Sequence, residues 1–583
     1  MENAKHPLPI SKKELDDLGI WQPDFIIVSG DAYIDHPSFG TALIGRLLER
    51  AGFSVAVIPQ PDWHSTKDFE RFGMPRLAFL VNAGNIDSMV ANYTVAKRRR
   101  EYDYYSPDGK VGKRPDRAVI VYCNKIREAY GDVPIVIGGI EASLRRFAHY
   151  DYWENRIRKS ILIDSGADLL SYGMGERSIL RIAELLERGI PIHKIRDVRG
   201  TAFIAERDYK PKGAMIRLPD YKTVLGDKLK YASSFKTQYQ NCDAIGGKVL
   251  CELYDEGLLV QNPPSLPLNT EELDDLAQLS YTRKPHPSYG KKGIPALTEV
   301  EFSITHNRGC FGGCAFCAIA YHQGRAVTSR SIDSVIEEVE LLTKQPDFKG
   351  YIHDIGGPTA NFRTGPCKAV AEGKKGVCTE RRCLSPDICP NLIKDHSEYL
   401  ELLRRASAVK GVKKVFVRSG IRHDYVMADK AYGGMFIEAL AKRHISGQLR
   451  AAPEHICPEV LSLMGKPSHE VYEKFVSKFN AASKKAGLEQ YVVPYLMSSH
   501  PGSTMKSAER LATYMQKNRV RSEQVQDFYP TPGTAATVMY YTGVDPFTNR
   551  KVYVATSPEE KRAQRALLGQ KKPTSHRKNR RRK

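Results

Sequence analysis

The stretch FIIVSGDAYIDHPSFGTALIGRLLERAGFSVAVIPQ, residues 25–60, decides the fold class of the first part of the chain. Residues 26–28 and 55–58 are short apolar runs, typical of buried strands. Between these runs, apolar side chains recur at helical spacing, at Leu43, Ile44, Leu47 and Leu48. The stretch therefore predicts a strand, a helix and a second strand, and two neighbouring strands joined through a helix are parallel.

Further strand signals in the first part of the chain lie at 77–81, 118–123, 135–137 and 168–172. With helical patterns between several of them, they predict an N-terminal α/β domain over residues 1–194. We expect a doubly wound parallel sheet with helices on both faces. Residues 195–294 are less periodic and richer in proline, and we interpret them as a connecting region with some helix.

A second set of strand signals lies at 299–305, 351–355, 414–417, 448–452, 490–497 and 524–528. Six strands with helices between them predict a partial (β/α)6 barrel over residues 295–545, with a cysteine-rich insertion at 358–412. In such a barrel the loops after the strands converge on one rim, where the chemistry is placed.

Composition and charge limit the class of protein. Of 583 residues, 41% are hydrophobic and 27% charged, which excludes a disordered or collagen-like chain. The chain has a formal net charge of +21, and its last 23 residues contain eleven basic side chains. We therefore predict a disordered basic tail over residues 546–583, which either solubilises the protein or binds nucleic acid. The sequence contains neither a membrane span nor a secretory signal, so we expect a cytoplasmic protein without a membrane partner.

The motif RGCFGGCAFC, residues 308–317, places Cys310, Cys314 and Cys317 within eight residues. In a reducing compartment, clustered cysteines more often bind metal than form disulfides. A structural zinc ion takes four protein ligands. Three thiolates fit a 4Fe-4S cluster that leaves one iron open for another ligand.

These residues resemble the signature of radical S-adenosylmethionine (SAM) enzymes, with the aromatic Phe316 before the last cysteine. In the same resemblance, IGGPT brings Gly356 and Gly357 to the methionine amino group, Glu454 lies near the ribose, and SSHPGST (498–504) is the turn after the fifth strand. The segments DAYIDHPSFG, IGGIEASLRR, YGMGE and QDFYPTPGTAATVMYYTG further resemble the YgiQ family of uncharacterised radical SAM proteins.

The resemblance implies an enzyme that cleaves SAM reductively to a 5′-deoxyadenosyl radical, with a reduced ferredoxin or flavodoxin as electron donor. It supplies no substrate. Two alternatives remain open: an RNA-binding or RNA-modifying iron-sulfur protein, and a zinc-organised interaction protein without catalysis. Polar residues at the ends of the barrel strands are further candidates for the site, Arg418, Ser419 and Ser498 among them for the cofactor. The others are Thr359, Asn361, Arg422, His423, His455, His500 and Tyr529.

A second set of cysteines, Cys367, Cys378, Cys383 and Cys389, lies in the insertion. It lacks the paired knuckles of zinc fingers, and an auxiliary iron-sulfur cluster, a structural zinc ion and free thiols all remain open. The N-terminal domain resembles the cobalamin-binding domains of many radical SAM enzymes. The resemblance implies a ligand at the carboxyl ends of the strands. Because YIDHPSFG lacks the usual spacing of a histidine ligand, the sequence argues against cobalamin. Another small ligand or a substrate-domain role, and a scaffold without a ligand, remain open, and Asp31, Asp35 and His36 are the positions to test.

Overall fold

A computed structural model describes residue 4 and residues 6–521 and 525–569. The strands of its first part are β1 (Phe25–Ser29), β2 (Val55–Pro59), β3 (Ala78–Asn82), β4 (Ile135–Ile137), β5 (His149–Asp151), β6 (Arg156–Arg158), β7 (Leu169–Ser171), β8 (Thr201–Ala205), β9 (Met215–Arg217), β10 (Val249–Leu253) and β11 (Leu258–Gln261). The helices of this part are α1 (Lys12–Asp17), α2 (Gly40–Arg50), α3 (Ser88–Asn92), α4 (Ala118–Tyr130), α5 (Gly139–Leu144), α6 (Ile161–Ser165), α7 (Glu176–Glu187), α8 (Tyr221–Gly226), α9 (Lys228–Gln240) and α10 (Thr270–Ala277).

In the described chain, nine of these strands form one sheet in the order β2-β1-β3-β4-β7-β8-β11-β10-β9. The strands from β2 to β7 run parallel, as the strand–helix–strand pattern predicts. Alternate residues of β1 enter two different apolar cores: Phe25 and Ile27 pack on one face, and Ile26 and Val28 on the other. The N-terminal sheet is therefore covered on both faces, and the expected fold class is confirmed.

Two expectations for this part of the chain are wrong. Residues 118–123, expected to be a strand, begin the helix α4, whose buried residues Ala118, Val119, Tyr122 and Ile126 follow helical spacing. The region 195–294, expected to connect two domains, supplies the strands β8 to β11, which extend the sheet with mainly antiparallel pairs. These strands are short, and β8 pairs with β11 across a long stretch of sequence, so the local sequence pattern did not reveal them.

The strands of the second part are β12 (Ser303–Thr305), β13 (Asn307–Arg308), β14 (Thr328–Ser329), β15 (Tyr351–Ile352), β16 (Asp354–Gly356), β17 (Lys414–Val415), β18 (Gln448–Glu454), β19 (Tyr491–Ser498) and β20 (Val525–Asp527). Its helices are α11 (Pro295–Val300), α12 (Ile319–Gln323), α13 (Ile332–Thr343), α14 (Lys368–Ala371), α15 (Ser397–Ala408), α16 (His423–Ala428), α17 (Gly433–Ala439), α18 (Pro458–Met464), α19 (His469–Lys485), α20 (Met505–Lys517), α21 (Ala535–Thr542) and α22 (Pro558–Leu568).

These elements form the expected partial barrel. Parallel pairs join β12 to β16, β15 to β17, and β18 to β19 and β20. A backbone hydrogen bond of 3.2 Å from Ile355 N to Phe416 O continues the wall between the second and third barrel strands. Residues of α13, α15, α17 and α19 pack around these strands in one apolar core. Because α15 belongs to that core, the cysteine-rich insertion is shorter than predicted and ends before Ser397.

The end of the chain is more ordered than the predicted tail. Helix α22 packs through Leu568 into an apolar cluster with residues of β19 and α20. Three of the eleven basic side chains lie on this helix, and the other eight, at 571–583, lie outside the described residues. In the described part of the chain, no helix is both long and apolar enough to cross a membrane.

Candidate active site

The three cysteines of the motif lie on the loop that follows the first barrel strand. The charges of Cys314 and Cys310 act on the Cys317 thiol, so the three sulfurs lie within electrostatic range of one another. Burial, together with those two neighbouring charges, raises the pKa of Cys317 to about 12. Burial also raises the pKa of Cys310. Buried thiols of this kind need a positive partner, such as iron, to become thiolates.

The loop curls tightly because of Gly309. Its φ of 79° lies in the left-handed region, and a Cβ at this position would collide with the carbonyl oxygen of Ala326. Glycine is the residue that adopts this conformation without strain. A cradle of this shape, with three thiols as its donors, fits the three-cysteine side of a 4Fe-4S cluster.

Two rim residues expected from the sequence contact the cysteines directly. The guanidinium of Arg422 donates to the sulfur of Cys314 over 3.2 Å, and the hydroxyl of Thr359 lies 3.4 Å from the sulfur of Cys310. Asp424, which the sequence analysis missed, forms a buried ion pair with Arg422 at 2.6 Å. Burial alone would raise the pKa of Asp424, but Arg422 outweighs burial and holds it at about 2. Asn361 accepts a hydrogen bond from the backbone of Arg422 at 2.9 Å.

A second group surrounds Cys317. The ammonium of Lys466 lies 3.4 Å from Glu454, 5.8 Å from the centre of the Phe316 ring, and near enough to act electrostatically on Cys317. The ring of Phe316 meets that of His500 edge to face at 6.1 Å. The structure therefore brings Phe316 and Glu454 together through Lys466. This lysine ends the segment RAAPEHICPEVLSLMGK but was not among the residues expected at the site.

The IGGPT segment lies against the same loop. A Cβ at Gly357 would collide with the side-chain oxygen of Asn307, so only glycine permits this close approach. Gly356 ends β16, and the hydroxyl of Ser419 donates to Asp354 at the start of that strand. Asp354 also accepts the backbone N–H of Arg418 at 2.7 Å, whereas the side chain of Arg418 is exposed. Asp354 was missed, although it precedes the glycines on a barrel strand.

Other expected site residues are placed less directly. Ser498 ends β19 and donates through its hydroxyl to Asp527. His423 packs against the ring of Tyr472 at 5.5 Å, and His455 accepts from the backbone of Cys457 at 3.0 Å. Tyr529 donates to backbone carbonyls of the N-terminal domain, at Met89 and Tyr93. None of these contacts involves the three cysteines of the motif.

The four cysteines of the insertion also come together. The charges of Cys378, Cys389 and Cys367 act on the Cys383 thiol. Among the described residues, no three His, Cys, Asp or Glu side chains lie in the arrangement that would hold a single metal ion. In both sets, the cysteines lie near one another, but their side chains do not form a closed coordination shell for a single ion.

A cavity of about 550 Å³ lies between the carboxyl ends of the N-terminal strands and the barrel. The residues that line it from the two sides include Asn82, Gly138, Ser171, Thr305, Arg308 and Pro358. Across it, Arg308 forms an ion pair with Glu176, the first residue of α7.

The three N-terminal positions left to test do not line this cavity. Asp31 and Asp35 form buried ion pairs, with Arg114 at 2.8 Å and with Arg46 at 2.5 Å. His36 is fully buried, and burial lowers its pKa to about 3. The two aspartates are therefore engaged in holding the domain together.

Comparison with known proteins agrees with the fold and the cysteine motif in defining a radical SAM protein. A family model described as the radical SAM N-terminal region matches residues 7–303, and a domain of unknown function, DUF3362, matches residues 523–579. A UPF0313 protein of Clostridium botulinum (strain 657) is 56% identical over 562 residues, 96% of this chain and 87% of the relative. A UPF0313 protein of Clostridium perfringens (strain 13) is 54% identical over 570 residues, which are 98% of this chain and 86% of the relative. The chain belongs to the UPF0313 family.

Solved structures with a similar fold are more distant. The radical SAM methyltransferase TsrM of Kitasatospora setae, with cobalamin and a [4Fe-4S] cluster bound, is 15% identical with a TM-score of 0.47, over 88% of this chain and 77% of TsrM. The cobalamin-dependent enzyme OxsB, with aqua-cobalamin bound, is 10% identical with a TM-score of 0.45, over 88% of this chain and 54% of OxsB. Because both structures hold cobalamin, the expectation against cobalamin is wrong and is withdrawn.

Proposed function

We propose that this radical SAM protein holds a 4Fe-4S cluster on Cys310, Cys314 and Cys317 and cleaves SAM reductively. The observation that carries the proposal is the convergence of three half-buried cysteines on one glycine-bent loop at the rim of a partial barrel. When bound, such a cluster supplies the electron that breaks a carbon–sulfur bond of SAM and gives a 5′-deoxyadenosyl radical.

The residues of this chain would bind and orient the cofactor. Arg422 and Thr359 contact the cysteine sulfurs, which fixes the loop and offsets its negative charge. The glycines of IGGPT leave room for a ligand to approach the backbone closely. Glu454, held by Lys466, presents a carboxylate that accepts hydrogen bonds from ribose hydroxyls.

The test is anaerobic reconstitution with iron and sulfide, followed by dithionite and SAM. We expect iron and sulfide in the protein and release of 5′-deoxyadenosine, measured by liquid chromatography with mass detection. The variant Cys310→Ala/Cys314→Ala/Cys317→Ala should release none. Cys251→Ala, a buried cysteine of β10, is the matched control and should behave as the wild type. An intact, reducible cluster without SAM cleavage would contradict the proposal.

The cavity between the two parts of the chain is our candidate for the second ligand of the reaction. It joins the strand ends, where this type of sheet binds ligands, to Arg308 and Pro358 beside the cysteine loop. The variant Ile44→Trp would fill part of it, whereas Leu18→Trp adds the same side chain at an exposed site. Titration of each variant with hydroxocobalamin, followed by the corrin absorption spectrum, tests cobalamin as that ligand.

The remaining parts of the proposal concern partners. A reduced ferredoxin or flavodoxin would supply the electron in a reducing, cytoplasmic setting, and its docking is tested by replacing dithionite with either protein. Nucleic acid is a further candidate partner through the basic residues at 571–583.

A further inference from the structure

The insertion before α15 holds its four cysteines near one another through its own backbone. Cys389 N donates to the carbonyl oxygen of Cys383 at 2.9 Å, and Ile393 N donates to that of Pro366, beside Cys367, also at 2.9 Å. These bonds close the segment on itself. Consecutive cysteines of this set have up to ten residues between them, and all four share one small region.

This segment has little regular structure to stabilise it. Residues 359–396 are all described, and in them the structure assigns one short helix, α14, and no strand. The apolar contacts of the segment come from Phe362, Leu384 and Leu392, which share a small cluster with Phe311 of the cysteine loop. A region of this kind gains the stability that it lacks from metal coordinated by its thiolates.

A buried cation lies beside the four thiols. Arg325 is 3% exposed and donates to the carbonyl oxygens of Cys378 and Arg381 at 2.8 and 3.0 Å. Its Nε is buried without a hydrogen-bond partner, and the hydrogen bonds of its other nitrogens go to carbonyl oxygens rather than to a carboxylate. A buried guanidinium without a carboxylate needs another source of negative charge. Cys383 and Cys378 lie within its electrostatic range, as do Tyr239 and Cys242, and thiolates at the two insertion cysteines would supply that charge.

The second set of cysteines adjoins the first. Cys310 and Cys389 both pack against the apolar cluster that contains Cys383. In the same cluster the rings of Phe311 and Phe362 stack with centroids 3.8 Å apart. Arg382, next to Cys383, lies over the backbone of Gly313 between Cys310 and Cys314. The insertion therefore covers one side of the catalytic loop.

We propose that Cys367, Cys378, Cys383 and Cys389 bind a second iron-sulfur cluster next to the site of the first. Four thiolates would complete its coordination, so this cluster would bind no SAM. Its binding would fix the insertion against the catalytic loop. The inference goes beyond the proposed function and does not depend on SAM cleavage.

The experiment compares iron, sulfide and zinc in four full-length proteins purified and reconstituted without oxygen. They are the wild type, a variant with alanine at 310, 314 and 317, a variant with alanine at 367, 378, 383 and 389, and a control with alanine at 123, 242, 251 and 457. We expect each of the two site variants to retain iron, but less than the wild type. The variant without the first set should give an iron-sulfur EPR signal on reduction that SAM does not alter.

The outcomes separate this inference from the proposed function. A variant without the first set that holds zinc, or no metal, overturns the second cluster and leaves the proposed function intact. If the variant without the first set holds iron and the variant without the second set holds none, the second cluster is supported and the proposed first cluster is overturned. Because the decisive protein keeps the insertion intact, a folding failure of the insertion variant does not affect the result. Wild-type iron in a folded insertion variant, checked by limited proteolysis, also overturns the inference.

Discussion

The guanidinium of Arg422 lies 3.2 Å from the sulfur of Cys314, although 108 positions separate the two residues in the chain. The same nitrogen donates to the carbonyl oxygen of Gly312 at 3.2 Å, and the rest of the guanidinium is paired with Asp424. Arg422 therefore ties the third barrel strand's loop to the cysteine motif. Its role is to position the loop and to set the charge at a cysteine sulfur.

We expect Arg422→Lys to lower the reduction potential of the cluster on the first cysteine set. A hydrogen bond to a ligating sulfur stabilises the more negative, reduced cluster. Lysine has a single ammonium group, so it cannot keep both the two-pronged ion pair with Asp424 and the hydrogen bond to the sulfur. Each ~1.4 kcal/mol lost corresponds to roughly 59 mV for one electron. A redox titration followed by EPR measures the shift. Arg404→Lys, an exposed pair partner of Glu401, should leave the potential unchanged.

Glu454→Gln should weaken SAM binding without changing the iron content. The carboxylate is held by Lys466, and replacing it with an amide removes a charged hydrogen-bond acceptor worth about 1.5–3 kcal/mol, or at least a tenfold change in Kd. Equilibrium dialysis with labelled SAM measures the change. Glu459→Gln, on the exposed side of α18, is the matched control. Equal affinities of the two variants would remove Glu454 from the binding site.

Gly357→Ala should disturb the site through shape alone. The added methyl group would collide with the side chain of Asn307, which donates to the carbonyl oxygens of Thr359 and Phe362 at 3.2 and 2.7 Å. We expect a loss of about 1–3 kcal/mol of stability and weaker SAM binding. At Gly420 a Cβ would meet no atom within 4 Å, so Gly420→Ala serves as the control. Thermal unfolding and SAM binding are the two measurements.

Glu338 gives a pH dependence that tests the contact between the two parts of the chain. Burial alone would raise its pKa, but Arg283 and Arg330 outweigh burial and lower the pKa from 4.5 to about 2. A carboxyl with a lowered folded pKa stabilises the fold above pH 4.5, and this stabilisation is lost as the pH falls toward 2.

We expect Glu338→Gln to lose about 3 kcal/mol of stability at neutral pH, and the difference from wild type to shrink steadily below pH 4.5. Glu337→Gln, exposed on the same helix, should show neither effect. Melting temperatures over a pH series measure both variants. A difference that stays constant down to pH 3 would show that the two arginines do not lower this pKa.

The basic end of the chain predicts salt-sensitive binding of nucleic acid. A chain ending at Gly569 lacks eight basic residues and keeps α22. We expect it to bind RNA more weakly and with a shallower dependence on salt than the full chain, because fewer phosphate contacts release fewer ions. Filter binding over a salt series measures the slopes. Identical slopes would assign the tail no role in binding.

Much of the fold follows from local pattern. The apolar runs at 26–28 and 55–58 and the helix between them appear where the spacing predicts them. The run at 118–123 misled, because an apolar, β-branched stretch suits a strand or a buried helix equally well over six residues. Strands β8 to β11 escaped prediction because they are short and because β8 pairs with strands that lie far from it in the sequence.

The sequence alone determined the cysteine loop, since Cys310, Cys314 and Cys317 are so close in the chain that a short glycine-bent turn already brings them together. Only the tertiary structure decided which residues surround that loop. The contacts of Arg422 with Cys314, of Lys466 with Glu454 and Phe316, and of the insertion with Cys310 join distant segments. Such contacts depend on how whole strands and helices pack, and no local spacing encodes the geometry of that packing.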